Sequence, residues 1–479
     1  MGKLTKLSIL LTLLILFVVA LFYSNRIADV SSKIERLFFG TIIQSSNTKN
    51  LAQTQAQNFG RGFSMSNQQN LGTVADPNYM ITFPKDHYSH ASFDIEWWYL
   101  TANLEDDEGN TYGLQWTLFR FRDPNAIYRS EQGQLDLRTN ANGLSPNPVH
   151  ELAQPHWNNE HIYMAHASVH SSTVHWFSEK FARGDVGNAG VEKTPFKLFI
   201  DDWQWQSPTA NLLPAKLTFN TKLISNHASE NDADQNATNE KNANINDVAY
   251  LSVQLDLSNT GPFILQGQRG YSIKSANGKH ASHYYSAPFI DVEGTFTMSD
   301  ELIFANHHQH NQPINNNKEN EIAADKVEKS PEPIENVKQI TVNGNAWFDQ
   351  EWTSQLLDQT TLGWDWLSLH LDNGDKIMAF QMRLQDQPDY ITGTYINADG
   401  SSVTIMPSDI ELVAIQLTPV GNKELPLNWQ LRINSKRVNI SIKATKNDQW
   451  NPASVAYYEG TVAVSGTHNG IGFLELTGY

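Results

Sequence analysis

Asp349 stands in the run Trp347-Phe348-Asp349-Gln350-Glu351-Trp352, an acid surrounded by aromatic rings. Burial among such rings disfavours the charged carboxylate and raises its pKa. A carboxylic acid that stays protonated near neutral pH can act as a proton donor. Alternate residues of a strand share a face, which groups Trp347 and Asp349, with Glu351 on the same side. Aromatic faces beside such an acid could also stabilise a cation. A plainer role fits the same residues: Asp349 and Glu351 as strand-end groups paired with Arg or backbone N–H. The sequence holds no Gly-x-Ser-x-Gly elbow and no His-Glu-x-x-His pair, so a hydrolytic nucleophile or catalytic zinc has weak support. Ser282 and His283 are adjacent, and neighbours on a strand point to opposite faces. His307, His308 and His310 cluster as imidazole ligands do. They lack Asp, Glu or His partners at fixed spacing and read as a polar loop, so no metal site and no cofactor is expected. Zero cysteine excludes disulfides, thiolate metal sites and lipid attachment through Cys.

The elements that must position these residues are strands. In Trp98–Leu104 one face carries Trp98, Leu100, Ala102 and Leu104. A turn rich in Asp and Gly follows at Glu105–Asn110, and the chain returns with Tyr112, Leu114, Trp116 and Leu118 on one face. This predicts a β-hairpin. Similar runs occur at Leu217–Ile224, Tyr250–Leu257, Gly294–Met298, Trp429–Ile433 and Val438–Ala444. Gln266 and Gly267 mark a turn or bulge more readily than a ligand contact. Part of the pattern recurs. Trp97–Thr101 resembles Trp364–Ser368, Glu293–Ser299 resembles Glu459–Ser465, and Asn343–Asp349 resembles Asn469–Glu475. The ordered set predicts a duplicated all-β body with domains at about 75–355 and 356–479, the second of a size for one small closed barrel.

The 479 residues carry 34 basic and 51 acidic groups, a net charge of −17. That balance argues against nucleic-acid binding. Ser225–Val248 and Asn306–Val337 are Asn- and acid-rich and hold −7 of that charge; they read as disordered insertions in the first domain. Lys3 and Lys6 precede an apolar run from Leu7 to Tyr23. As a helix it spans roughly 25 Å, a little short of the roughly 30 Å hydrocarbon core. Residues 1–26 therefore read as a signal anchor or cleaved signal, with 27–74 a polar stalk. The leading lysines put the body on the exported side, which is the periplasm of a bacterium, or outside the cell if the signal is cleaved.

Several motifs in order resemble one family. They are Phe83-Pro84-Lys85-Asp86-His87, Glu96-Trp97-Trp98-Tyr99, Leu265-Gln266-Gly267-Gln268-Arg269-Gly270, His283-Tyr284-Tyr285-Ser286, Ala346–Trp352, Gly363-Trp364-Asp365-Trp366 and Leu474–Tyr479. Over about residues 59–479 the chain resembles the secreted lipocalin-like proteins related to AttH and to carotenoid 1,2-hydratases (hydroxyneurosporene synthases). The resemblance implies two tandem lipocalin-like β-barrels and a hydrophobic ligand, lipid or isoprenoid. It implies an ABC exporter permease as a partner. It also implies, as alternatives, a hydro-lyase adding water to an isoprenoid C=C bond or a secreted hydrolase. In the hydratase pattern His283 and Tyr285 join Trp347 and Asp349 as catalytic groups. Glu96, Trp97, Trp98, Gln115, Arg269, Glu351, Trp364 and Trp366 are the candidate ligand contacts. Glu96 fits equally a barrel-closing role paired with Arg269 or Arg383, and His283 and Tyr285 fit a core role. The chain departs from the hydratases at Glu351, where they usually carry Asn.

Overall fold

The computed structural model describes residues 72–122, 161–184, 186–224, 249–299, 337–355 and 360–479. The expected anchor at 7–23, nearly all of the stalk, the insertion at 225–248, and that at 306–336 with its three histidines lie outside the described residues. Among the described residues no helix is long and apolar enough to cross a membrane.

The described chain is almost entirely strand, with single 3-10 turns at Lys85–His87 and Asn434–Lys436. The first sheet contains β1 (Ile95–Asp106), β2 (Thr111–Arg122), β3 (His161–His170), β4 (His175–Arg183), β5 (Ala189–Lys193), β6 (Phe196–Ile200), β7 (Trp203–Gln206), β8 (Ala215–Leu223), β9 (Tyr250–Asn259), β10 (Ile264–Leu265), β11 (Tyr271–Ile273), β12 (Ala281–Ser299) and β13 (Lys338–Thr353). The second contains β14 (Thr361–Leu371), β15 (Lys376–Leu384), β16 (Tyr390–Ile396), β17 (Ser402–Ile405), β18 (Ile410–Val420), β19 (Lys423–Ile433), β20 (Val438–Ala444), β21 (Trp450–Asn451), β22 (Tyr457–Gly466) and β23 (Gly470–Thr477). Both sheets belong to one compact unit.

Eight strands of the first sheet pair in a ring, β12-β13-β1-β2-β3-β4-β8-β9 and back to β12, which closes a barrel. The predicted hairpin is β1–β2, with Leu104 opposite Tyr112 and Trp98 opposite Leu118. Its apolar face is fully buried inside the barrel. The strands β5–β7 add Phe196, Leu198, Trp203 and Trp205 to the same core. Trp205 lies 5.2 Å from Phe348 between ring centroids, so the interior is filled with side chains rather than left open.

The second sheet runs β17-β16-β15-β14-β23-β22-β20-β19-β18 and does not close. This corrects the expected second closed barrel. The sheet curls round its own core of Leu367, Trp429, Leu431, Tyr458 and Leu474. Its two ends approach, since a methyl added at Gly393 on β16 would stand 3.2 Å from Ile410 at the start of β18. The edge strand β17 has only four residues against eleven in β18, and no ladder joins the two.

The duplication is visible in the strand order. Each sheet contains the path second-last strand, last strand, first strand, second strand: β12-β13-β1-β2 in one and β22-β23-β14-β15 in the other. Register supports two of the three sequence matches. Tyr99 pairs with Asp349, and its counterpart Trp366 pairs with Glu475. The Glu-Gly-Thr match fails this check. Glu293 pairs with Asn343, whereas Glu459 pairs with Glu475, so the two runs sit at different levels of their sheets.

Candidate functional site between the two sheets

Cross-strand neighbours share a face of a sheet. In the first barrel Asp349 lies opposite Ser286 on one side and Tyr99 on the other, and Glu351 lies opposite Tyr284 and Trp97. All of these point out of the barrel, toward the second sheet. The second sheet answers with Trp364, Trp366, Glu459 and Glu475. Tyr99 and Trp366, equivalent residues of the duplication, meet edge-to-face at 5.2 Å. Between the sheets lies a cavity of about 70 Å3, walled by these residues other than Ser286, together with Phe119, His166, Lys274, Phe380 and Tyr457.

Asp349 is held by three donors. Tyr284 Oη donates to Oδ2 at 2.6 Å, while Ser286 Oγ and Trp347 Nε1 donate to Oδ1 at 2.5 and 2.7 Å. Such bonds favour the carboxylate. Burial outweighs them, and with the nearby Glu351 it lifts the pKa to about 7. Glu351 has a counter-charge: Lys274 Nζ stands 3.1 Å from Oε1, and Ser282 Oγ donates to the same oxygen at 2.5 Å. Lys274 also lies 4.5 Å from the Tyr284 and Phe380 ring centroids.

The equivalent carboxyl of the second sheet, Glu475, accepts from Trp364 Nε1 at 2.9 Å. Burial, followed by the charges of Asp349, Glu351 and Asp365, lifts it to about 7 as well. Its cross-strand neighbour Glu459 accepts from Tyr99 Oη at 2.5 Å. Burial and the Glu475 charge push Glu459 well above the usual carboxylate range. Near neutral pH the cavity therefore holds carboxyl groups poised to carry protons, set among aromatic rings.

The structure sorts the expected site residues into two groups. Asp349, Trp347, Glu351, Trp97, Trp364 and Trp366 come together at the seam. His283 and Tyr285 do not join them. They pair with Trp352 and Gln350 and point into the barrel, because odd and even residues of β12 face opposite sides. Tyr285 donates to Gln350 Oε1 at 2.7 Å, and His283, lowered to about 4 by burial, packs 5.5 Å from Trp352. Their even-numbered neighbours, Tyr284 and Ser286, are the ones that bind Asp349.

Glu96 and Trp98 also lie inside the barrel. Glu96 pairs with Arg120 (Nε–Oε2, 3.2 Å) and His90 (Nδ1–Oε1, 2.6 Å), rather than with Arg269 or Arg383. Gln350 Nε2 completes its shell at 3.0 Å, and His90 stacks 3.7 Å from Trp352. Trp98 Nε1 donates to the His87 carbonyl at 3.1 Å. Arg383 pairs with Asp365, Nε to Oδ2 at 3.3 Å. Gln115 faces the seam but donates to Thr117 Oγ1 and does not line the cavity. Arg269 is exposed in a left-handed turn (φ 54°). Gln266 and Gly267 do form that turn, and it docks the second sheet: Thr394 Oγ1 donates to Gln266 Oε1 at 2.5 Å and Thr404 Oγ1 to the Gly267 carbonyl at 2.6 Å.

Sequence reasoning missed Tyr99, Lys274, Tyr284, Ser286, Glu459 and Glu475. Two signals were present. Strand parity selects Tyr284 and Ser286 over their neighbours, and the match of Asn343–Asp349 to Asn469–Glu475 aligns Glu475 with Asp349. Histidines further along the seam serve docking: His175 Nε2 meets Ser168 Oγ at 2.8 Å and Asn451 Oδ1 at 3.1 Å, all three buried. Among the described residues no group of three or more His, Asp or Glu is placed to hold a metal ion.

An AttH-designated protein of Nitrosomonas europaea has a similar structure, with a TM-score of 0.58 and 24% identity over 85% of this chain and 99% of that one. Kievitone hydratase from Nectria haematococca aligns with a TM-score of 0.48 and 13% identity, over 85% of this chain and 95% of the other. CghA in complex with Sch210972 aligns with a TM-score of 0.41 and 11% identity, over 86% and 97%. No curated protein matches in sequence. A family model described as AttH-like matches residues 74–305 and 334–479, which carry both sheets and every wall of the cavity. The chain belongs to the AttH-like family.

Proposed function

We propose that this is an exported, membrane-tethered protein that takes one end of a lipid or isoprenoid into the cavity between its sheets. There Asp349 protonates a C=C bond ahead of water addition. The observation that carries the reading is Asp349 itself: a buried carboxyl in the wall of an aromatic cavity, where burial raises its pKa to about 7. The cavity is several-fold smaller than the few hundred Å3 that bury a whole drug-sized ligand, so it suits a chain end.

The step balances simply. The π electrons form a C–H bond with the Asp349 proton and leave a cation at the more substituted carbon. The faces of Trp97, Trp364 and Trp366 favour that cation. Water adds to it, and the proton it sheds returns to the Asp349 carboxylate. Export and tethering rest on Lys3, Lys6 and the Leu7–Tyr23 run, and an ABC exporter permease is the partner expected beside such a protein; cell fractionation and co-purification test these. The chemistry is tested by incubating an acyclic carotenoid with the protein in D2O. Wild type should give an alcohol carrying one new C–D bond, and Asp349→Asn should lose at least about a hundredfold in rate. Equal turnover in the two proteins, or none in wild type, overturns the hydration reading.

A further inference from the structure

Glu459 offers the cavity a group that proton transfer from Asp349 does not use. It is 1% exposed and lies in the cavity wall on β22. Its Oε1 is occupied by the Tyr99 hydroxyl. Its Oε2 is buried and has no hydrogen-bond partner. Burial and the neighbouring Glu475 favour the neutral acid. Because Oε1 accepts from Tyr99, the acid proton belongs on Oε2. A buried O–H with no acceptor is costly to maintain, and an arriving oxygen atom relieves that cost.

We propose that Glu459 is a ligand-binding residue whose Oε2 bonds a hydroxyl or carbonyl oxygen at the inserted end of an apolar ligand, so that the site selects oxygenated isoprenoids or lipids over pure hydrocarbons. The inference rests on the cavity being an apolar-ligand site. It deepens that reading, because the alcohol formed by hydration carries such an oxygen. The surrounding rings supply most of the contact area and accept either kind of chain; the unpaired Glu459 Oε2 supplies the discrimination, as buried polar groups do elsewhere.

The test compares linalool with myrcene, which share a carbon skeleton and differ by the elements of water, a hydroxyl and a methyl in one standing where the other has a methylidene double bond, using ligand-observed NMR titration. Wild type should bind linalool roughly tenfold more tightly or better. Glu459→Gln should keep the preference, since its amide N–H replaces the O–H while its carbonyl still accepts from Tyr99. Glu459→Leu should bring the two ligands within about twofold, with myrcene affinity little changed. Equal affinities in wild type, or a preference that survives Glu459→Leu, overturn the proposal and leave the cavity as an apolar-ligand site. Failure of wild type to bind either ligand overturns both. The wild-type comparison needs no variant to fold.

Discussion

Replacing Asp349 by Asn should change how stability depends on pH, and by an amount the site itself sets. The carboxyl has a pKa of about 7 in the folded protein against 3.8 for the free side chain. Between those values the folded chain holds a proton that the unfolded chain has released. Stability therefore falls as pH rises through this window, and the full penalty is present above pH 7. A gap of about three pH units, at about 1.4 kcal/mol each, amounts to about 4 kcal/mol. The group is fully buried, so solvent screening does not reduce this. Asn keeps an oxygen to accept from Trp347 and Ser286 but does not titrate. The variant should thus gain on wild type by about 4 kcal/mol between pH 4 and pH 8. Removing the Asp349 charge also relieves the upward push on Glu475, which acts in the same direction. Urea unfolding followed by tryptophan fluorescence at pH 4, 5, 6, 7 and 8 measures the difference directly. Parallel stability curves for the two proteins would refute the claim that Asp349 is a protonated, buried acid.

Arg120→Met leaves the buried Glu96 carboxylate with His90 and Gln350 alone, and thermal or urea denaturation should show a loss of about 3–5 kcal/mol. Tyr284→Phe deletes a donor that favours the Asp349 carboxylate, so its pKa should move up from about 7; the carboxyl band in an infrared pH titration reads the direction. Gly267→Ala places a methyl against the Tyr271 carbonyl at a residue with φ of 62°. It should cost at least about 1 kcal/mol and loosen the bond from Thr404, seen as faster amide exchange in β17.

The strands were legible because each barrel wall alternates. Every inward residue of Trp98–Leu104 and Tyr112–Leu118 is apolar, and a period of two has one physical meaning in a chain bounded by Asp-Gly turns. Val438–Ala444 was bounded to the residue for the same reason. Closure of the second sheet was not legible, since it depends on whether the end strands β17 and β18 pair with each other, and alternation along each strand does not say which strands are neighbours. Asp349 was legible from its aromatic neighbours along one strand. Strand parity groups its partners Tyr284 and Ser286 with each other, but they lie on another strand, and only the register of β12 against β13 shows which face meets Asp349. The hydratase pattern, and not strand parity, joins His283 and Tyr285 to Asp349; in β12 they lie on the opposite face. The pairing of Arg120 with Glu96 across β1 and β2 follows from the hairpin register, which apolar alternation alone does not reveal.

The cavity has walls from both sheets, so it exists only while they are docked. Its occupancy and the docking of the sheets are then two readings of one equilibrium. By mass action, a ligand at a hundred times its dissociation constant would add about 2.7 kcal/mol to the docked state. The converse holds for residues far from any ligand. A substitution at His175 or Asn451 that weakens docking would lower ligand affinity without touching the cavity. A chain cut between the first sheet and the second would report its ligand through how firmly the halves stay together.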